Sequence, residues 1–434
     1  MNCRSCGGST GEPFLKLLPQ PPANAFLIDE DLGKEVDWPL ELVFCTHCTL
    51  VQLSESSFIP RKHLFDTYTY ASSVGQSLRR HFELLADEVK YLANGGYVID
   101  VGSNDGVLLR PLKALGVRAV GIEPALNLVE MANREGLITL KGYLTPAMAA
   151  KIAKPDHWWG VKGKASVIVA SNVFAHVESI DEFLDAVKLL LKEGGTLIIE
   201  FQYLADTIKE LSFDNIYHEH VFYYTLRSII NALQLRRLTV VDAARISTHG
   251  GSLRVYARHG ERDLREQSDR MSALQYNEDA LKLDAFETYR TFASDVDRKL
   301  RQFRSAIRNL KRDGKTIVAG YGAPAIVAGY GAPVIVAGYG APAKSSTLIN
   351  SAGLDHNSIT YIVEDSKIKQ GLYTPKSHIP IVGPEMLKKT PPDCLIIFAW
   401  NYARDIKKKL LEQGVFCELV VPMGPENNLA KWSK

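Results

Sequence analysis

Residues 97–116 read YVIDVGSNDGVLLRPLKALG. A short apolar run, a turn with glycines at 102 and 106, and an amphipathic stretch follow one another, which is the pattern of a buried strand feeding a helix. Working outward, RAVGIEP (118–124) is a second strand closed by Glu123, and ASVIVASNVFAHV (165–177) a third. GGTLIIEFQYL (194–204) is a fourth strand and GGSLRVY (250–256) a further one. Ahead of them, LRRHFELLADEVKYLA (78–93) has helical periodicity and stops at Gly95-Gly96. Strands alternating with helices predict an α/β fold with a parallel, doubly wound sheet.

Beyond residue 256 the composition turns charged and helical. Phe286, Tyr289, Phe292, Val296, Leu300, Phe303, Ile307 and Leu310 recur every three or four positions, predicting one long amphipathic helix that ends near Asp313-Gly314. A second, Rossmann-like α/β domain then opens at KTIVAGYGAP, with strands in SITYIVEDS, DCLIIFAW and CELVVP. IVAGYGAP followed by Ala or Val, a nine-residue unit, occurs three times in tandem, at 317–325, 326–334 and 335–343. One copy suffices for a strand and its glycine turn. The third runs into AKSSTLIN, a helix start, and is expected to carry the turn, with the surplus 18 residues bulging out as a loop. The expected domains are therefore 1–60, 61–256 and 257–434.

The chain has 434 residues, 46% hydrophobic and 23% charged, which is ordinary globular composition for two or three domains. Lys and Arg number 51 against 49 Asp and Glu, a formal balance of +2. Nothing in that balance points to a nucleic-acid binder. No apolar run approaches the roughly 20 residues that span a bilayer, and MNCRSCGGST lacks a signal-peptide core. A cytoplasmic protein with no membrane partner is expected. Of the six cysteines, Cys3/Cys6 and Cys45/Cys48 form two C-x-x-C knuckles flanking the Pro-rich LPQPPANAFL, while Cys394 and Cys417 are isolated. Two knuckles bring four soft thiolates to one tetrahedral ion, the chemistry of a structural Zn²⁺ site. His47 is an alternative ligand inside the second knuckle, and redox-active pairs are the alternative chemistry.

The glycine turn is D-x-G-x-N-D-G, built from Asp100, Gly102, Asn104, Asp105 and Gly106, and not the G-x-G-x-x-G of dinucleotide folds. It resembles the turn of class I S-adenosylmethionine (SAM) methyltransferases. An acid at Glu123, ending the next strand, is placed to take both ribose hydroxyls. Asn172, after the third strand, joins this candidate cofactor set. NAD binding and a plain strand–turn–helix are the alternatives.

FDNIYHEHVFYYT (213–225) is dense in proton-transfer groups: Tyr217, His218, Glu219 and His220 are consecutive. His176 lies at the carboxyl edge of the sheet, where open α/β folds bind ligands. Tyr68 and Tyr70, in DTYTYASS, precede the first helix. His220 is the candidate base, since an imidazole near neutral pKa removes protons at physiological pH. Glu219 is the candidate orienting group, and Tyr217, His176 and Tyr70 are candidates for holding a developing enolate or the substrate. His218 is expected to face away. A metal bound by His218, Glu219 and His220 is disfavoured by their consecutive spacing.

These pieces together resemble the sugar C-methyltransferases that act on nucleotide-linked ketohexoses. The knuckles, PPANAF, YTYASS, DVGSNDG, NVFAHV, FDNIYHEH, HGGSLRVY, YGAPAKSSTLIN, KQGLYTP, HIPI and FAWN match over nearly the whole chain, and the tripled IVAGYGAP block departs from the pattern. The resemblance implies a zinc-binding N-terminal domain, a SAM-binding middle and a C-terminal domain for a dTDP- or other NDP-ketohexose. It also implies methylation at a carbon next to the 4-keto group, C3 or C5, in deoxysugar biosynthesis. In the C-terminal domain it points to Gly340, Ala341 and Lys344, and less directly to Lys369, Trp400 and Asn401, as nucleotide-sugar contacts. O- or N-methylation of a similar sugar, or a binding protein without catalysis, are the competing functions.

Overall fold

In the computed structural model, residues 1–64, 76–154, 163–260, 268–312 and 334–431 are described. They form two compact units, neither continuous in sequence. One gathers Met1–Phe14, Leu42–Asp206 and Glu219–Tyr289, the other Leu15–Glu41, Thr207–His218 and Arg290–Lys434. Tyr68, Tyr70 and the repeat up to residue 333 lie outside the described residues.

The first unit is built on a seven-stranded sheet. Its spatial order is Leu238–Ile246, Ser252–His259, Leu191–Gln202, Ala165–Ser171, Val98–Val101, Ala119–Glu123, Thr139–Lys141. The last five are mutually parallel. Ser252–His259 runs antiparallel to both of its neighbours, so the wholly parallel expectation is corrected to a mixed sheet. Periodicity identifies a strand but not its direction.

Helix Gln76–Ala93 covers one face. Leu78, Phe82, Leu85, Ala86, Val89 and Ala93, spaced three and four apart, pack into one cluster with Val98, Val167, Val169 and Ile198. Burying each of the larger side chains stabilises by about 1.5–3 kcal/mol. The helix ends where Asn94 and Gly95 take left-handed φ values of 44° and 77°. A smaller antiparallel set joins Leu42–Phe44 to Val51–Leu53, and Val51–Gln52 to Phe222–Tyr223.

The second unit holds a five-stranded, all-parallel sheet. Its order is Ile381–Val382, Tyr361–Val363, Val336–Tyr339, Cys394–Ile397, Glu418–Val420. The third IVAGYGAP copy forms the central strand Val336–Tyr339, and helix Ala343–Ser351 follows it, as expected. The long helix runs Phe286–Arg312 over 27 residues.

Two of the expected strands differ in extent. The third ends at Ser171, because Asn172 takes φ 56° and the chain then enters a 3-10 turn at Phe174–His176. The strand expected at 250–256 starts at Ser252, because Gly250 and Gly251, at φ 90° and 122°, belong to the preceding turn.

Candidate active site

The four knuckle sulfurs lie within 4.8 Å of one another. Cys3 Sγ is 3.5 Å from Cys48 Sγ, and Cys6 Sγ 3.6 Å from Cys45 Sγ. A zinc tetrahedron with bonds of about 2.3 Å has sulfur–sulfur edges of about 3.8 Å, so the set fits the ion. Backbone N–H groups of Ser5 and Gly8 donate to Cys3 and Cys6 Sγ, each at 3.4 Å, which suits thiolates. Four sulfurs fill the coordination sphere and leave no place for substrate. Among the described residues this is the one converging group of His, Cys, Asp or Glu ligands, so His218, Glu219 and His220 do not assemble a second.

The second knuckle is tied to the cleft by backbone bonds. Cys45 N donates to Leu50 O (2.9 Å), and Val51–Leu53 follows at once. That strand pairs with Phe222–Tyr223, and Leu53 N donates to Val221 O (2.9 Å). Val221 N in turn donates to Ala175 O (2.8 Å), beside His176.

At the carboxyl ends of the central strands, Gly102, Asn104 and Gly106 all have left-handed φ, at 65°, 51° and 85°. A Cβ on Gly102 would lie 2.3 Å from Val173 Cγ2, so this glycine makes room for Val173 as well as for the turn. Glu123 holds the turn: Oε2 accepts from Asn104 N and Oε1 from Ala125 N, both at 2.9 Å. Burial pushes the Glu123 carboxyl up. Burial, then the neighbouring Glu123 and Glu200, push Asp100 well above the usual carboxylate range. Ser103 Oγ, Ser171 Oγ and both Asp105 carboxylate oxygens are buried without a hydrogen bond among the described residues. The Asp105 carboxylate lies 4.0 Å from the Arg110 guanidinium. Polar atoms left this way around a glycine turn fit a polar, cationic cofactor such as SAM.

Glu200 stands in the neighbouring strand. Burial would raise its pKa, but His81 Nε2 (3.0 Å) and Arg254 Nε (2.5 Å) hold it below the ordinary range. Arg254 also reaches Glu88 (2.7 Å), and Glu200 O accepts from Asn172 N (2.8 Å).

Asn172, Ala175, His176, Phe201, Gln202, His220, Phe222 and Tyr223 line one cleft. The cleft therefore gathers Asn172, His176 and His220 of the expected site residues. The His176 and His220 rings are 4.8 Å apart, and His220 and Tyr223 are 6.2 Å apart, edge to face. His176 Nδ1 is 2.6 Å from the Glu219 carbonyl. A carbonyl only accepts, so Nδ1 carries the proton and Nε2 of the neutral ring is an acceptor. Burial pulls the His176 pKa down to about 4, against the backbone bonds to Glu219 and Asn172. Glu219 enters the site through its carbonyl, and its side chain is not among the cleft-lining groups. Gln202 and Tyr223, which sequence reasoning missed, complete the lining.

In the second unit Tyr217 is half-buried, and His218 Nε2 bonds the Pro39 carbonyl at 3.0 Å. Burial lowers the His218 pKa to about 4, so it is a neutral structural histidine.

The C-terminal candidates fall into two groups. Gly340 (φ 87°) donates its N–H to Val363 O (2.8 Å), and Ala341 N donates to Glu364 Oε2 (2.8 Å). The Ala341 amide, expected on the nucleotide-sugar side, is thus already bonded to a carboxylate. Lys369 Nζ donates to Ala341 O (2.8 Å) and lies 4.8 Å from the Phe26 ring centre, which brings PPANAF and KQGLYTP together. Lys344 Nζ is 4.5 Å from the Trp400 ring centre, and Trp400 Nε1 donates to Asp214 Oδ2 at 2.6 Å. Burial pulls Lys344 and Lys299 down to about 8, opposed in each case by the Asp214 charge. Asp214 and Lys299 were not singled out in the sequence. Asn401 is half-buried in the 3-10 turn Trp400–Tyr402.

A zinc-bearing N-terminus, a SAM-type turn on a class I sheet and a second parallel-sheet region define a SAM-dependent methyltransferase with a structural metal site. Family models agree: a putative zinc binding domain matches residues 3–65, a methyltransferase domain 76–243, and a C-methyltransferase C-terminal domain 247–334 and 330–423. The C-methyltransferase NovU of Streptomyces niveus is 33% identical over 419 residues, covering 95% of this chain and 93% of that protein. The chain belongs to this C-methyltransferase family and is a SAM-dependent C-methyltransferase. A mitochondrial ubiquinone biosynthesis O-methyltransferase of Rattus norvegicus is 27% identical over 107 residues, 24% of this chain and 30% of that one. The solved CcbJ methyltransferase of Streptomyces caelestis, 16% identical, covers 41% of this chain and 89% of its own at a TM-score of 0.32. No described helix is long and apolar enough to cross a membrane.

Proposed function

We propose that the chain methylates a carbon, C3 in the first instance, next to the keto group of a nucleotide-linked 4-keto-deoxyhexose. The observation that carries this reading is the pairing of two imidazoles, His176 and His220, in one cleft beside the cofactor turn. A carbon has no lone pair to methylate, so a C–H beside a carbonyl must first lose its proton. An oxygen or nitrogen acceptor needs no enolate.

In this reading His220 takes the α-proton. His176, fixed with its proton on Nδ1 and neutral at physiological pH, presents an acceptor beside the base and orients it. Asp100, Gly102, Asn104, Asp105, Gly106, Glu123 and Asn172 hold SAM, which when bound supplies the electrophilic methyl group. The buried Asp100 and Glu123 carboxyls, pushed up by burial, would be drawn back toward the ionised form by a cationic cofactor. Lys344, Lys369 and Trp400, with Gly340, Ala341 and Asn401, serve the nucleotide-sugar side. Incubation with labelled SAM and a panel of NDP-4-keto-deoxyhexoses tests the reading. Label bound to the carbon beside the carbonyl supports it, and label on oxygen or nitrogen refutes it.

A further inference from the structure

Enolisation moves an electron pair onto the carbonyl oxygen, and an enzyme lowers that barrier with donors aimed at the oxygen. Among the described residues, the cleft is lined by five polar side chains: Asn172, His176, Gln202, His220 and Tyr223. His176 has no donor to offer, because its single ring proton is engaged by the Glu219 carbonyl. His220 is the base. Asn172 belongs to the cofactor side, since the residue after it, Val173, packs over Gly102 of the turn. Two donors remain.

We propose that the Tyr223 hydroxyl and the Gln202 carboxamide form the oxyanion site that holds the substrate's developing enolate oxygen. Both sit on backbone fixed by strand pairing: Gln202 opposite Ser252, and Tyr223 opposite Val51. Donors on paired strands are held in place before the reaction begins, which is what electrostatic stabilisation requires. Gln202 Oε1 is buried with no hydrogen-bond partner among the described residues, so the acceptor end of the carboxamide is not tied to the fold, and the N–H end is the one assigned to the enolate. Tyr223 is 5% exposed, and a phenol there acts in a dry environment where a hydrogen bond to an anion is strong.

The substrate C–H bond breaks and its proton passes to His220. The C–H pair becomes the new C=C bond, and the carbonyl π pair moves to oxygen, where Tyr223 O–H and Gln202 N–H donate to it. Ring charge on His220 offsets enolate charge on the substrate. The enolate carbon is then the nucleophile.

This inference rests on the proposed carbon methylation of a keto sugar. Its test is α-proton exchange of a dTDP-4-keto-deoxyhexose with deuterated water, without SAM, alongside SAM affinity by calorimetry. Tyr223→Phe and Gln202→Leu are each expected to slow exchange and kcat by roughly 10²–10³-fold while SAM affinity stays within about twofold. Gln202→Glu is isosteric and repels an enolate while ionised. Its exchange rate, relative to wild type at the same pH, is expected to recover as the pH falls and the new carboxyl becomes an O–H donor. Wild-type exchange in Tyr223→Phe or Gln202→Leu overturns the proposal. So does loss of SAM binding in parallel with exchange, or a Gln202→Glu defect that does not change with pH. If wild-type protein places the methyl on oxygen or nitrogen, the carbon-methylation reading itself has failed, and that outcome is separate from the variants' behaviour.

Discussion

Acid should destabilise the first unit through His176, and His176→Phe should remove that share of the loss. An ordinary imidazole titrates near 6.5, and burial holds His176 near 4. The unfolded chain therefore takes up this proton at a pH where the folded one does not. The contribution is complete above about pH 6.5 and is lost progressively down to about pH 4. The full difference amounts to about 3 kcal/mol, and about 2 kcal/mol of it falls between pH 7 and pH 5. At pH 7 His176→Phe strands the Glu219 carbonyl, at a cost of about 1–3 kcal/mol. The stability gap between wild type and variant should then narrow by about 2 kcal/mol on going to pH 5. Amide hydrogen exchange of the strand Ala165–Ser171, corrected for intrinsic rates, reads opening of this unit. A gap that stays constant from pH 7 to pH 5 would refute the neutral, buried imidazole and with it the fixed tautomer.

Purified protein should carry about one Zn²⁺ per chain by elemental analysis. Cys45→Ser should release it and lower the melting temperature; metal loss with an unchanged melt would argue against a structural site. Glu123→Ala should weaken SAM binding by at least tenfold in calorimetry, because the carboxylate also holds the Asn104 and Ala125 amides, each charged bond being worth about 1.5–3 kcal/mol. Wild-type affinity would place the cofactor elsewhere. Deleting residues 317–334 restores the single TIVAGYGAPAKSS and leaves the strand Val336–Tyr339 intact, so the melt should be unchanged. Unfolding of the deletion variant would show the extra copies to be part of the core.

The local part of this architecture was legible in the sequence. The knuckles, the D-x-G-x-N-D-G turn, helix Gln76–Ala93 and the role of the third repeat copy are all set by neighbours in the chain. What escaped depends on distant pairings. ASVIVASNVFAHV is mostly apolar, and its periodicity does not announce that the strand stops at Ser171, with Asn172 at φ 56° and its amide donating to the Glu200 carbonyl. Tyr223 was one of several aromatics in FDNIYHEHVFYYT until pairing with Val51, far upstream, set it in the cleft. His176 looked able to donate to an enolate. The Glu219 carbonyl, 43 residues on, decides otherwise. Asp214 gained meaning only beside Trp400 and Lys344, which lie far along the chain.

Base-assisted methylation at carbon can be followed through the fate of a carbon-13 methyl group carried by SAM. Wild-type protein, a dTDP-4-keto-deoxyhexose and labelled SAM should give a product whose methyl carbon shows one-bond coupling to a ring carbon beside the carbonyl. In His220→Asn that product should form roughly 10²–10⁴-fold more slowly with SAM affinity nearly unchanged. A methyl signal on oxygen or nitrogen, or undiminished turnover in His220→Asn, would contradict the account.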